Sequence, residues 1–199
     1  MTGRVHSFQS LGTVDGPGIR YVVFMQGCNL RCSCCHNPDT WDMNGGTEYT
    51  AEEILSKVLR FREYFGEKGG ITISGGEPLL QADYIKEVCK RIPEGWQKRI
   101  ETSLNVSWDK IKLLIPYINQ WIIDIKDSHQ DIYKDYTGVD GLLVYENVQR
   151  LSGKVGKDKL LIRIPEIPEY NTEECVITSM EIYSEYGMLD VFKYRKMNR

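Results

Sequence analysis

The sequence predicts an α/β fold, a partial (βα)6 TIM-like barrel with a short N-terminal extended segment. Two observations carry that reading. Apolar strand-like runs alternate with amphipathic stretches from about residue 19 onward, and such alternation lays strands in parallel with helices outside. The chain has 199 residues, whereas a closed eight-stranded barrel takes about 250. That length suits a single domain over 1–199 whose barrel stays open on one flank. An open flank suits a macromolecular substrate.

Taken in order, residues 1–18 offer two short extended pieces, around 4–9 and near Thr13, and Asp15-Gly16-Pro17-Gly18 turns the chain before the first core strand. Residues 19–26 are that strand, and a cysteine-rich loop follows it. Thr50-Ala51-Glu52-Glu53 is a capping box, and Ile54, Val58, Phe61 and Phe65 make one apolar face of a helix ending at Gly66. Residues 71–74 are a short buried strand, and Pro78 opens a helix to about Arg91. Strands over 98–103, 121–126, 159–164 and 188–194 alternate with helices near 107–118, 142–151 and 172–186.

Composition narrows the function classes. Hydrophobic residues make up 41% and charged residues 27% of the chain, with 25 basic against 28 acidic groups for a net charge of -3. This is ordinary globular composition with no basic field for nucleic acid. No apolar run approaches the ~20 residues of a membrane span. The start Met-Thr-Gly-Arg-Val-His has no apolar signal region, so a reducing, cytoplasmic location is expected.

Four of the six cysteines fall within Cys28-Asn29-Leu30-Arg31-Cys32-Ser33-Cys34-Cys35. In a reducing setting such thiols ligate soft metal. Cys28, Cys32 and Cys35 have C-x3-C-x2-C spacing, with no second ligand pair downstream for a closed zinc site. Three thiolates on one loop can hold a four-iron, four-sulfur cube by three corners, leaving one iron open. A zinc set completed by His36 is the alternative, although adjacent Cys35 and His36 would strain a tetrahedral site. Cys89 and Cys175 fall in helices and read as small packing residues, and His6 and His129 as hydrogen-bonding or surface groups.

The C-x3-C-x2-C spacing, with Gly12-Thr13-Val14-Asp15-Gly16-Pro17-Gly18-Ile19-Arg20 before it and Cys35-His36-Asn37-Pro38-Asp39-Thr40-Trp41 after it, resembles the radical S-adenosylmethionine enzymes, and among them the glycyl-radical-enzyme activases. The resemblance implies one [4Fe-4S] cluster on Cys28, Cys32 and Cys35. It implies reductive cleavage of S-adenosylmethionine to a 5′-deoxyadenosyl radical, and abstraction of a glycine α-hydrogen from a partner glycyl radical enzyme. A low-potential donor such as flavodoxin or ferredoxin would supply the electron, and the chain would act as a monomer without nucleic acid or membrane. Action on a small molecule or another peptide is the alternative within this chemistry, and a zinc-stabilised interaction module the alternative outside it.

The same resemblance assigns further residues. Gly75, Gly76 and Glu77, in Gly-Gly-Glu-Pro, would hold the methionyl amino group; glycines there let backbone approach a ligand. Asp124 and Lys126 lie on one face of their strand, and in the family the aspartate helps bind a monovalent cation beside the cofactor carboxylate. Glu101-Thr102-Ser103 stands where the family has Asp-Thr-Asn. Arg163 matches an arginine lining the cofactor site. Cys34 stands where an aromatic residue meets adenine, and Arg195 where a histidine contacts the cofactor. Asp15 is the candidate for holding the partner's glycine loop. No cysteine lies between Cys35 and Ile71, so one cluster is expected.

Overall fold

A computed structural model of the protein describes residues 1–13 and 17–194. Asp15 and Arg195 lie outside the described residues. The strands are β1 (Thr2–Gly12), β2 (Arg20–Met25), β3 (Thr47–Thr50), β4 (Gly70–Gly75), β5 (Gln97–Thr102), β6 (Gln120–Asp124), β7 (Leu160–Glu166) and β8 (Met188–Lys193). They form one 8-stranded sheet in the order β3-β1-β2-β4-β5-β6-β7-β8. From β2 to β8 every pairing is parallel, which gives the six barrel strands that the alternating pattern predicts. The two ends of the order do not meet, so the barrel is partial.

A parallel sheet covered on both faces needs near-continuous apolar strands. Val23 pairs with Ile73, Ile73 with Ile100, Ile100 with Trp121 and Trp121 with Leu160, and each of these side chains is buried. At the opposite end of the strands from the cysteine loop lies a group that the sequence reading passes over. Arg20 is fully buried, its Nε donating to Thr72 Oγ1 at 3.0 Å and its guanidinium to the carbonyls of Lys68, Ile71 and Gln97. One side chain thus ties β2 to β4 and to the start of β5.

The N-terminal segment differs from expectation. The two extended pieces are a single strand, β1, whose register with β2 shifts twice; the shifts bend the strand so that it runs unbroken along its neighbour. It pairs antiparallel with β2 on one side and with the unanticipated β3 on the other.

The helices are α1 (Ala51–Leu59), α2 (Arg62–Phe65), α3 (Ala82–Arg91), α4 (Trp108–Leu114), α5 (Gln130–Thr137), α6 (Leu142–Val155) and α7 (Glu173–Tyr183). The single helix expected between the Thr50 capping box and Gly66 is two. Its break lets Phe61 pack on Tyr21 at 5.3 Å while Phe65 meets Trp96 edge-on at 4.9 Å. Pro78 opens a short 3-10 turn, Pro78–Gln81, before α3 begins. The sequence reading has no counterpart of α5, whose buried side chains are Tyr133, Tyr136 and Thr137, and which Gly138 ends in the left-handed conformation at φ 79.

Candidate active site

The cysteine loop leaves β2 at the carboxyl end of the parallel strands, where ligands bind in open α/β sheets. There it borders a cavity of about 270 Å³ into which Cys28, Cys32 and Cys35 open. The loop is held from two sides. On its own side Gly27 N donates to Thr40 O at 2.8 Å, and the Arg31 guanidinium lies over Trp41 at 5.2 Å. On the far side Arg31 N donates to Thr137 O at 2.9 Å and Ser33 N to Tyr136 O at 3.0 Å. The carbonyls ending α5 therefore clamp the loop.

Burial pushes the Cys28 thiol up to about 12, against an opposing bond from Leu30 N to Sγ at 3.4 Å, with Glu77, Cys32 and Cys35 adding to the rise. Burial also raises Cys32, partly offset by Lys126. Such a set favours thiolate only once a cationic partner arrives, which is what a metal centre provides. A single tetrahedral ion would gather its ligand atoms to about 3.8 Å. Among the described residues the one set of three metal-ligating atoms within 4.8 Å of one another lies elsewhere, on Asp127, His129 and Cys175. The three loop thiols do not converge within that span, and a cluster held by its corners accepts such a donor set. His36 lies beside them, its ring stacked on Tyr194 at 4.5 Å.

The glycines at the end of β4 have a packing reason beyond the sequence reading. A Cβ on Gly75 would strike Met25 backbone, and one on Gly76 would strike the Gly27 carbonyl. Gly76 N instead donates to Met25 O at 3.0 Å, and Glu77 N to Gly27 O at 2.9 Å. The pair thus seats the cysteine loop directly on the β4 turn while also lining the cavity.

Glu77 is buried and its carboxylate is saturated. It accepts from Leu79 N at 3.1 Å, Thr102 Oγ1 at 2.7 Å, Ser103 N at 2.9 Å and Ser103 Oγ at 2.6 Å. Burial raises its pKa and those bonds oppose the rise. Its geometry is a bolt between the β4 turn and the end of β5, and Thr102 belongs to that bolt.

Four charged side chains, from β5, β6, the loop after β6 and β7, complete the cavity wall. Lys126 Nζ is 3.5 Å from Asp124 Oδ2. Arg163 lies 3.6 Å from Glu101 and 3.7 Å from Asp124, with its guanidinium 4.9 Å over Phe192. Burial works against the Lys126 charge, yet Asp124 first and then Cys32 hold its ammonium above the ordinary range. Ser74 Oγ donates to Glu101 at 2.6 Å. Asp124, the carboxylate that the resemblance assigns to a monovalent cation, already faces two cations of the chain itself, Lys126 and Arg163.

The structure brings together Cys28, Cys32, Cys35, Gly75, Gly76, Glu77, Glu101, Thr102, Asp124, Lys126 and Arg163 around one cavity. Cys34 is not among its lining residues; its carbonyl accepts from Tyr194 Oη at 2.8 Å. Cys35 N closes a turn on Cys32 O at 3.0 Å, and Cys34 is one of its two central residues, while Cys32 and Cys35 at its ends open into the cavity. Sequence reasoning missed Ser74 and Tyr136 in the wall, and it named Ser103 only as part of the Glu101-Thr102-Ser103 run without giving it a role. Ser103 and Ser74 follow or end strands already assigned, and their register was the available signal.

A family model described as a 4Fe-4S single cluster domain matches residues 14–127. The chain is 49% identical over 138 residues to the pyruvate formate-lyase-activating enzyme of Clostridium pasteurianum, across 68% of this chain and 58% of that protein. It is 37% identical over 178 residues to the pyruvate formate-lyase 1-activating enzyme of Escherichia coli K12, across 86% of this chain and 71% of that one. The chain thus spans less than two thirds of the clostridial relative's length. Among solved structures, Streptococcus suis SuiB bound to precursor peptide SuiA superposes with a TM-score of 0.69 at 18% identity, over 87% of this chain and 39% of that one. Escherichia coli coproporphyrinogen III oxidase, described as a radical SAM enzyme, gives 0.63 at 14% identity, over 89% and 44%. At those identities the solved structures speak for the fold alone.

Proposed function

The chain belongs to the pyruvate formate-lyase-activating enzyme family, and from that premise we propose that it cleaves S-adenosylmethionine reductively and abstracts an α-hydrogen from a glycine of a partner glycyl radical enzyme. One observation carries the proposal: three cysteine thiols open into the same cavity as a glycine turn and a ring of four charges, at the carboxyl ends of the strands of an open barrel.

Cys28, Cys32 and Cys35 would hold one [4Fe-4S] cluster by three of its corners. When bound, the cluster and S-adenosylmethionine supply one-electron cleavage of the sulfonium and the carbon radical that takes hydrogen. The chain's own part is placement. Lys126 and Arg163 offer cations to the cofactor carboxylate, and Glu101 and Asp124 offer anions to its ammonium and sulfonium. Gly75 and Gly76 keep the turn free of side chains, and Glu77 with Thr102 and Ser103 fixes it. Phe24, Leu30, Trp41 and Phe192 supply apolar wall that excludes water from the site.

The remaining roles extend this reading. Asp15 would hold the glycine-bearing loop, and Arg195 would border the cofactor, whereas Cys34 does not line the cavity and is left without that role. A flavodoxin or ferredoxin would deliver the electron, and the chain would work as a single domain and a monomer in the cytoplasm without nucleic acid. Among the described residues no helix is long and apolar enough to cross a membrane.

The test is to reduce the anaerobically reconstituted protein with S-adenosylmethionine present and to quantify 5′-deoxyadenosine. Wild type should form it and Cys32→Ala should not. Fully iron-loaded wild type that forms none would defeat the proposal.

A further inference from the structure

We propose that the loop after β6 and the first turn of α7 form a second metal site, for one divalent transition ion of borderline softness such as zinc, with Asp127, His129 and Cys175 as protein ligands. A carboxylate oxygen, a ring nitrogen and a thiol sulfur from these three lie within 4.8 Å of one another. A mixed sulfur, nitrogen and oxygen set selects zinc or cobalt over magnesium or calcium. None of the three lines the cavity of the cysteine loop, so the site stands apart from the proposed cluster.

The ligand shell is partly built. Asp127, whose side chain is 1% exposed, accepts from His129 N at 2.8 Å and from Asn171 Nδ2 at 3.1 Å. Asn171 is itself fixed, taking a bond from Ile167 N at 2.6 Å and giving one to Pro165 O at 3.0 Å. Thr172 Oγ1 accepts from Cys175 N at 3.4 Å, and its hydroxyl lies 3.3 Å from Cys175 Sγ. Outer partners of this kind orient ligands and raise metal affinity. The His129 ring faces Asp127 Oδ1 through Nδ1 at 2.9 Å, and its side chain is 44% exposed. That ring can therefore turn to exchange its contact with Asp127 for the separations of about 3.3–3.8 Å that a tetrahedral ion imposes on its ligand atoms.

The Asp127 bond to His129 N is a local turn contact just ahead of α5. It does not require an imidazole and a thiol to converge on the same carboxylate from a helix later in the chain. As the ion enters, the metal–sulfur bond replaces the S–H bond and the thiol proton passes to solvent. Water takes the fourth position on the exposed side of His129. The occupied site would lock the β6 loop, which carries Lys126 into the cavity, against α7.

The experiment uses cluster-loaded protein, so that Cys28, Cys32 and Cys35 are occupied. It is incubated anaerobically with zinc chloride and desalted; zinc is counted by mass spectrometry, and Cys175 alkylation by iodoacetamide is followed by peptide mass. Wild type should retain about one zinc per chain and His129→Ala none, with cluster absorbance unchanged. In wild type, zinc should slow Cys175 alkylation by about tenfold or more. Equal zinc retention in wild type and His129→Ala would overturn the assignment. So would Cys175 alkylation at the same rate with and without zinc, a readout on wild type that needs no variant to fold.

Discussion

At the scale of single residues, the site depends on side chains that are missing as much as on those present. Gly76→Ala drives a methyl into the Gly27 carbonyl and toward Cys28 Cβ. It should cost about 2–4 kcal/mol by thermal denaturation of iron-free protein, and should lower iron bound per chain after reconstitution. Glu77 provides a pH test. Burial holds its pKa above the ordinary carboxylate value, so the folded protein binds this proton more tightly than the unfolded chain. The stability from that proton is full below the unfolded pKa and is lost as pH rises through the folded one. Glu77→Gln, which never ionises, should therefore gain on wild type in melting temperature as pH rises from about 4. A difference independent of pH would mean that the four hydrogen bonds set the cost and the proton does not.

At the scale of elements, legibility followed the strength of the local pattern. The Thr50 box is present as read, with Glu53 N donating to Thr50 Oγ1 at 3.2 Å and Thr50 N to Glu53 Oε2 at 2.7 Å. Thr50→Ala should lower stability by about 1 kcal/mol in denaturant titration. The same bonds depress the Glu53 pKa, so its share is present above the ordinary carboxylate range and fades as pH falls through the folded value. The barrel strands were legible because Val, Ile and Leu crowd them on both faces. The α5 helix was not, because its core-facing period is written in Tyr133, Tyr136 and Thr137, within a stretch otherwise as polar as a loop. Likewise β3 has four residues and no buried side chain, and it exists because β1 offers it an edge. The cysteine spacing and Gly-Gly-Glu-Pro could be read directly from the sequence. That Gly75 and Gly76 seat another loop, and that Arg163 stands between Glu101 and Asp124, depends on strand register, which no short stretch encodes.

At the scale of the whole molecule, Arg20 joins strands from three parts of the chain by charge-assisted bonds to buried carbonyls. Arg20→Met keeps the volume and removes the donors. Carbonyls left unsatisfied should cost about 3 kcal/mol or more, read as a lower unfolding midpoint in urea with an unchanged slope. Iron analysis of the reconstituted chain should give about four atoms per chain, and about eight would mean a second cluster. The α5 clamp also sets a schedule. The cysteines are made early, but the carbonyls that close the far side of their loop belong to Tyr136 and Thr137, with Ser33 and Tyr136 separated by 103 positions. At about 5–20 residues per second on the ribosome, the thiols wait several seconds, reduced and unsheltered, before their cradle exists. Synthesis under oxygen should therefore leave a scar that no later refolding of the barrel repairs.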